Sequence, residues 1–225
     1  MSLPNVEVVR ERIESIRRRD IRNCFMATYL FAGRISEVVG RATRRDTTTA
    51  RGPRGIDASR EVYKIGNLAE PAVVFKVKTA KREGRERRIG LPINTEFEPW
   101  TETLHDYFKE CEDRIVFPFT RQKIWSFANR VFEDLRYPIE KYILFTEENG
   151  VTIKKVVDQH FRAFRLHALR HLRASELVEF YGFNGVDLSI YGGWTLQRGA
   201  GLSTVMARYL SLNWQSYFPK LLKKR

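Results

Sequence analysis

Three stretches of β-forming residues lie between long helical patterns, and this arrangement most limits the fold that the chain can adopt. They are VYKIG at 62–66, AVVFKVKT at 72–79 and RERRIGLP at 85–92, with AKREG as a turn between the last two. Because side chains alternate along a strand, Lys76 and Lys78 share one face. We predict a small antiparallel sheet. Lys78, next to the turn, can reach a ligand, although a solvated edge lysine is the simpler interpretation of this stretch alone.

Apolar residues at helical spacing surround these strands. Residues 6–19 have the period of an amphipathic helix, and IRNCFMATYLFA at 21–32 predicts a buried one. Further helices are predicted at 95–111, at 120–135 with Thr120 as its cap, from His167, and at 202–212. The predicted fold class is α+β, mainly α-helical, with one small three-stranded antiparallel sheet.

Two segments stand outside these patterns. Residues 42–60 are polar and basic and contain glycine and proline, which predicts a mobile loop. Residues 138–160 place YILFT and VTIKKVV on either side of Asn149-Gly150, which favours a β-hairpin, with a helix–loop–helix as the alternative.

The charge balance indicates a polyanionic partner. The 225 residues include 40 Lys and Arg against 27 Asp and Glu, a net charge of +13, and arginine outnumbers lysine. Since a planar guanidinium forks onto phosphate oxygens, this excess favours nucleic acid over a merely solvated basic surface. Cys24 and Cys111 fit no paired-ligand or disulfide pattern, and no stretch has the length and apolarity to span a bilayer. A cytoplasmic, nucleoid-associated protein without membrane contact is expected.

The stretch from 167 to 209 concentrates groups that can hold and attack a phosphodiester. His167 and Arg170 in HALRH are three residues apart and therefore neighbours on one helical face. A Gly-Gly pair then presents Trp194, and VMARY carries Tyr209. These side chains supply an imidazole, a guanidinium, an indole N–H and a phenol. The stretch therefore predicts a site for chemistry on phosphate.

A second candidate group lies near the N-terminus, in AGRISEVVG at 32–40. Gly33 interrupts the preceding helix, and a new helix is predicted with Arg34, Ser36 and Glu37 in its first turn. An arginine there opposes the helix dipole, so a functional role competes with a simple i, i+3 salt bridge between Arg34 and Glu37.

Four blocks, taken in order over 28–209, resemble the catalytic domain of the tyrosine recombinases, the group of phage integrases, Xer and Cre proteins. AGRISEVVG resembles the first-arginine box, and FKVKTAKREGRERRIGLP resembles the β-hairpin with the catalytic lysine. HALRH resembles the His-x-x-Arg box with its second histidine, and GGWT followed by MARY resembles the box of the nucleophilic tyrosine. Any single block is weak, whereas four in the family's order are specific.

This resemblance implies a site-specific DNA recombinase or integrase that cleaves and rejoins double-stranded DNA through a 3′-phosphotyrosyl intermediate. The implied catalytic residues are Arg34, Lys78, His167, Arg170, Trp194 and Tyr209, with Glu37 and His171 in supporting positions. No metal, other cofactor or ATP is implied, because the phosphotyrosyl bond retains the energy of the DNA backbone.

The implied roles follow the charge that develops on the phosphate. Arg34 and Arg170 would bind the non-bridging oxygens while Tyr209 attacks. Lys78 would protonate the leaving 5′-oxygen, and His167 would assist proton transfer at the tyrosine or donate to the phosphate.

Simpler alternatives remain for several of these residues. The resemblance implies that Glu37 and His171 orient the arginines. His171 could instead be a buried, hydrogen-bonded imidazole. Trp194 stands where many members have histidine and, as in the Cre group, would donate its indole N–H, although core packing is the alternative. Tyr191 and Tyr217 compete with Tyr209 as nucleophile, but the simpler interpretation of both is core packing.

The sequence also departs from the family. Arg34 lies so early that no N-terminal core-binding domain is evident, and residues 1–225 are interpreted as a single catalytic domain. The interval from Arg34 to Lys78 is lengthened by the basic loop. The link TLQRGAGLST before Tyr209 is long and contains glycine, so Tyr209 could act in its own protomer or in a neighbouring one.

The C-terminal tail at 210–225 is amphipathic, with Trp214, Phe218, Leu221 and Leu222 on one face. The resemblance implies a homo-tetramer on DNA, and a monomer or weak oligomer without it. The tail would dock on a neighbouring protomer or, equally well, on its own domain.

Two other functions compete. A type IB topoisomerase-like or telomere-resolving enzyme would use the same nicking and rejoining chemistry without recombination. A catalytically silent DNA-binding regulator would need none of it, and the presence of every candidate catalytic residue argues against that reading.

Overall fold

The computed structural model describes residues 3–40, 52–79, 86–93, 96–146, 152–193 and 213–222. It is a mixed α/β structure that contains the small three-stranded antiparallel sheet expected from the sequence. The helices are α1 (Val6–Glu14), α2 (Arg19–Leu30), α3 (Ile35–Val38), α4 (Trp100–Cys111), α5 (Arg121–Val131), α6 (Leu166–Glu179), α7 (Gly185–Gly192) and α8 (Phe218–Leu221). The strands are β1 (Ala58–Ile65), β2 (Leu68–Lys78), β3 (Glu86–Pro92), β4 (Arg136–Thr146) and β5 (Thr152–Ala163). Short 3₁₀ helices cover Gly55–Asp57 and Trp214–Ser216.

Helix α2 is the central element of the fold. Every residue from Asn23 to Leu30 is buried, which confirms the buried helix predicted at 21–32. Phe31, which follows it, packs against Phe75 of β2 at 5.0 Å, and Phe75 packs against Phe108 of α4 at 5.1 Å. These aromatic contacts join the helices to the sheet.

The helix predicted over 6–19 ends earlier, at Glu14. Ser15 follows as the C-cap, and its hydroxyl donates to the carbonyl of Arg12 at 2.8 Å, a local hydrogen bond that competes with further helix. The helices predicted at 95–111 and 120–135 are present but shorter, since α4 begins at Trp100 and α5 ends at Val131. Thr120 caps α5 as predicted, by accepting from the backbone N–H of Lys123 at 3.2 Å.

The sheet has the order β1-β2-β3, and Lys76 and Lys78 are both exposed, as the alternation predicted. The loop predicted at 42–60 is too long, because β1 already begins at Ala58. Ser59 and Arg60 pair with Val74 and Val73 of β2, so pairing with an apolar strand decides the structure of this polar stretch. Residues 41–51 and the predicted turn at 80–84 lie outside the described residues.

Strands β4 and β5 form an antiparallel hairpin, which confirms the favoured interpretation of residues 138–160 and rejects the helix–loop–helix. Its Asn149-Gly150 turn lies outside the described residues, as does the helix predicted at 202–212. Within the described segments, no helix combines the length and apolarity needed to cross a bilayer.

A buried ionic cluster, absent from the predictions, ties α1, α6 and the start of α4 together. Arg173 is fully buried and bonds Glu98 at 2.6 Å and Glu176 at 2.5 Å. Arg10 of α1 bonds the other oxygen of Glu176 at 2.7 Å. Burial acts to lower the pKa of Arg173, but Glu98, Tyr191 and Glu176 outweigh it and hold that pKa above its ordinary value.

The described part of the tail, 213–222, packs on the chain's own β3. The Trp214 ring lies directly on Gly90, where a Cβ would be 2.1 Å from a ring carbon, so this contact requires glycine. Tyr217 accepts a hydrogen bond from the Gly90 N–H at 3.0 Å, and Phe218 packs against Tyr63 at 5.1 Å. Docking on the same domain, one of the two alternatives, therefore occurs in this chain. Docking on a neighbouring protomer stays a prediction.

Candidate active site

Arg34 stands at the entrance of α3. It is extended, with φ −73° and ψ 147°, and Ile35 is the first helical residue, so the prediction of Arg34 inside the first turn is wrong by one position. Its backbone N–H donates to Glu37 Oε2 at 3.1 Å, and its Nη1 lies 3.6 Å from Glu37 Oε1. The i, i+3 ion pair is therefore present. About a third of the Arg34 side chain, 35%, remains exposed and available to a ligand.

The region around Arg34 and Glu37, which we call the corner, is held together by Arg87 of β3. Arg87 was not identified from the sequence. Its guanidinium is buried and donates to Glu37 Oε2 at 3.1 Å, to the carbonyl of Phe31 at 2.9 Å and to the carbonyl of Tyr191 in α7. One side chain thus connects the end of α2, the supporting carboxylate of α3 and the end of α7. The strand period of two could have indicated its burial, because it puts Arg87 on the same face as Ile89 and Leu91.

Helix α6 brings its candidate residues to the same corner. Arg170 is buried, at 8% exposure, and lies within electrostatic range of Glu37, Arg34 and Arg87. Burial lowers the pKa of Arg170 to about 10. Glu37 acts to raise that pKa, whereas the positive charges of Arg34 and Arg87 lower it further. The two arginines that the sequence placed in separate boxes therefore share one carboxylate and one environment.

His167 and His171 occupy the exposed side of α6, with ring centroids 4.8 Å apart. His171 is exposed, so the alternative interpretation of it as a buried, hydrogen-bonded imidazole is wrong. Burial lowers the pKa of His167, and His171, Arg170 and Arg34 lower it further. Burial also lowers the pKa of His171, with Arg170 next in importance. Both imidazoles are therefore neutral at neutral pH and able to accept a proton.

The electrostatics of the corner favour an anion. Arg34 and Arg87 pair with the carboxylate of Glu37, which also attracts Arg170, while both Arg34 and Arg87 oppose the charge of Arg170. A bound phosphate would relieve this repulsion and accept hydrogen bonds from guanidinium groups.

Lys78 ends β2 at the edge of the same region. It is exposed, and its partner in β3 is Glu86, the neighbour of Arg87. Gly193, which directly precedes Trp194, has φ +63°, and a Cβ there would lie 3.0 Å from Arg87 Cδ and 3.3 Å from Thr79 Cγ2. The end of α7 thus adjoins the strand end that carries Lys78. Trp194 and Tyr209 themselves lie outside the described residues.

The two competing tyrosines are core residues. Tyr191 and Tyr217 are fully buried, and burial raises the pKa of Tyr191 to about 12 and that of Tyr217 well above its ordinary value. Tyr191 also bonds Arg173 through its hydroxyl at 3.1 Å. A phenol that is enclosed and harder to ionise is a poor nucleophile, which confirms the simpler interpretation of both.

A cleft of about 510 Å³ opens beside Arg34 and His167. Its opposite wall comes from α5, where Arg121 and Trp125 line it, and Trp125 is 43% exposed. An exposed indole beside cations offers a flat apolar surface to a ligand. The sequence predicted the helix that carries Trp125 but not its position at the site.

The lowered pKa values of both histidines predict a pH-dependent stability. Between those values and the ordinary 6.5, the unfolded chain binds more protons than the folded protein. The free energy of unfolding should therefore fall as the pH is lowered from about 7.5 to about 5.5, and a His167→Gln/His171→Gln variant should lose part of this decrease. Urea unfolding at several pH values measures both. Equal pH dependence in wild type and variant would contradict the assignment.

No family model, curated protein or solved structure matches this chain. The functional interpretation therefore depends on its own residues.

Proposed function

We propose that this protein is a tyrosine recombinase, a DNA strand transferase that cleaves and rejoins duplex DNA through a 3′-phosphotyrosyl intermediate. The observation that supports the proposal is the convergence of Arg34 and Arg170 beside Glu37, with His167 within electrostatic range of both arginines. Two forked cations and a neutral imidazole beside an open cleft suit a phosphodiester better than a carboxylate substrate, because a phosphate gains charge in the transition state.

In this proposal, Arg34 and Arg170 bind the two non-bridging oxygens of the scissile phosphate. The oxygen of Tyr209 forms a bond to phosphorus as its phenolic proton passes to His167. The bond from phosphorus to the 5′-oxygen breaks, and Lys78 protonates that oxygen. Rejoining is the same sequence in reverse, so the reaction needs no outside energy source.

Glu37 and Arg87 have a supporting role in this scheme. Glu37 accepts from the Arg34 backbone and from the Arg87 guanidinium, so it holds the start of α3 against β3. Trp194 would donate its indole N–H to the same phosphate. We further propose that a homo-tetramer assembles on the double-stranded recombination site.

The test is the capture of a covalent protein–DNA adduct. Because the target sequence is unknown, the protein is incubated with a pool of duplexes of random sequence, each nicked near its centre so that the released end diffuses away. Adducts that survive denaturing detergent are isolated, their DNA is sequenced, and mass spectrometry identifies the modified residue. We expect the nucleotide on Tyr209 and no adduct from Tyr209→Phe.

Absence of any adduct, or an undiminished adduct from Tyr209→Phe, would refute the assignment. The recovered sequence then allows a second measurement, with two duplexes that contain the site and a supercoiled plasmid. Strand exchange supports a recombinase, whereas relaxation of supercoils without exchange supports the topoisomerase-like alternative.

A further inference from the structure

The hairpin β4–β5 is a separate two-stranded sheet whose strands pair only with each other among the described strands. They pair from Arg136 opposite Ala163 to Thr146 opposite Thr152, with a register shift between Lys141 and Tyr142. At about 3.4 Å per residue, each strand is about 35 Å long, close to one helical turn of duplex DNA. Its length therefore matches a ribbon that could follow a duplex for one turn.

The base of this hairpin is anchored to the body of the protein. Tyr137 is buried and its ring meets that of Phe164 at 6.3 Å, and the Phe164 N–H donates to the carbonyl of Leu135 at 2.9 Å. Helix α6 begins two residues later, at Leu166, with His167 as its second residue. The hairpin is thus held in a defined position next to the candidate site.

One face of the hairpin continues the positive charge of the site. His160 and Arg162 are exposed and two residues apart, so they share a face, opposite Ile139 and Tyr137. Arg162 lies close enough to contribute to the lowered pKa values of both His167 and His171. Arg162 therefore lies within electrostatic range of the candidate site.

Arg165 extends this surface toward the cleft. It is exposed, and its guanidinium lies 5.9 Å from the centre of the Trp125 ring, which lines the cleft with Arg34. We call Arg34, His167, Arg165, Arg162 and His160 the basic track. The hairpin strands as a whole carry Arg136, Lys141, Lys154, Lys155 and Arg162 against Glu140 and Asp158.

We propose that the basic track binds the phosphodiester backbone of the duplex on one side of the scissile phosphate. The proposal rests on the proposed function for the nature of the ligand. Charge complementarity favours a DNA backbone, since Arg34, Arg165 and Arg162 supply three cations along the track, whereas Asp158 is the described carboxylate on the same hairpin face. The hairpin would thereby extend the DNA contact of this protein beyond the candidate site.

The test measures binding by fluorescence anisotropy in the Tyr209→Phe background, so that no covalent product forms. The labelled duplexes contain the captured sequence, or random sequence if none is captured, and are about one or about three helical turns long. Arg162→Gln and Arg162→Gln/Arg165→Gln remove charge from the track. Lys109→Gln removes the same charge from the exposed surface of α4 and serves as the matched control.

We expect Arg162→Gln to weaken binding to the longer duplex roughly fivefold and to lower the slope of log K against log salt by about one. The double variant should lower that slope by about two, and Lys109→Gln should leave it unchanged. Because Arg162 and Arg165 lie at the base of the hairpin, beside the candidate site, the same loss is expected on the short duplex.

Equal salt slopes for wild type and both track variants would overturn the proposal. A changed oligomeric state with unaltered DNA affinity would also overturn it, because the hairpin would then be an interface between copies of the protein. The two hypotheses fail separately. If the adduct forms but the salt slopes of the track variants are unchanged, only the proposal for the basic track is rejected. If the slopes fall but no adduct forms, the basic track remains a DNA contact and the strand-transferase proposal is rejected.

Discussion

Replacing Arg170 with alanine is expected to slow formation of the phosphotyrosyl adduct by about 10²- to 10³-fold, the cost of removing one preorganised donor from a developing negative charge. Arg170 is the buried one of the two proposed phosphate-binding arginines, with 8% of its surface exposed, so its guanidinium is held in a defined position. Arg170→Lys keeps the charge but loses the forked donor, and its rate should lie between those of wild type and Arg170→Ala. Single-turnover adduct formation on the captured sequence measures all three rates.

The control for this prediction is Arg60→Ala. Arg60 is an exposed arginine of β1 that pairs with Glu102 at 3.0 Å, away from the site. Its removal should leave the rate unchanged and cost at most about 1 kcal/mol of stability. If Arg170→Ala forms adduct as fast as Arg60→Ala while both remain folded, Arg170 does not act on the reacting phosphate.

Replacing Arg173 with methionine is expected to lower the free energy of unfolding by about 3–5 kcal/mol, because it leaves Glu98 and Glu176 buried without their main counter-charge. Arg173 has no exposed side-chain surface and bonds both carboxylates, at 2.6 Å and 2.5 Å. Such a loss is a large part of the stability of an ordinary domain. Urea unfolding followed by circular dichroism measures it.

Two further variants separate charge burial from packing. The double variant Arg173→Met/Glu98→Gln also removes the Glu98 carboxylate, one of the two buried charges left without Arg173. It should therefore recover part of the lost free energy of unfolding. Arg12→Met breaks an ion pair of similar length, 2.5 Å to Asp134, whose partners are both exposed, and should cost at most about 1 kcal/mol. An Arg173→Met variant no less stable than Arg12→Met would show that the buried cluster does not stabilise the fold.

The patterns that the sequence predicted well are those of short range. The alternation in AVVFKVKT placed Lys76 and Lys78 on the exposed face of β2, and Thr120 marked the start of α5. The Asn-Gly dipeptide separated two apolar runs that do form a hairpin. Each of these depends on a few consecutive residues, so local propensity and periodicity are sufficient to predict it.

The errors arose where distant segments decide. β1 begins within a polar stretch because Ser59 and Arg60 pair with β2, and local composition carries no information about a partner strand. Arg87 and Arg173 were left unremarked because a charged residue is ordinarily exposed. Burial is tolerable for Arg87 because Glu37, fifty residues away, and the carbonyls of Phe31 and Tyr191 accept its hydrogen bonds.

By itself, the sequence determined the kinds of elements, the basic character of the chain and the identity of the candidate phosphate-binding residues, since these follow from residue type and spacing. Only the tertiary structure decided that Arg34 and Arg170 share Glu37, that Arg87 joins α2, α3 and α7 behind them, and that the β4–β5 hairpin borders the same corner. The physical reason is that helices and strands form from local interactions, whereas the meeting of charges depends on how the whole chain packs.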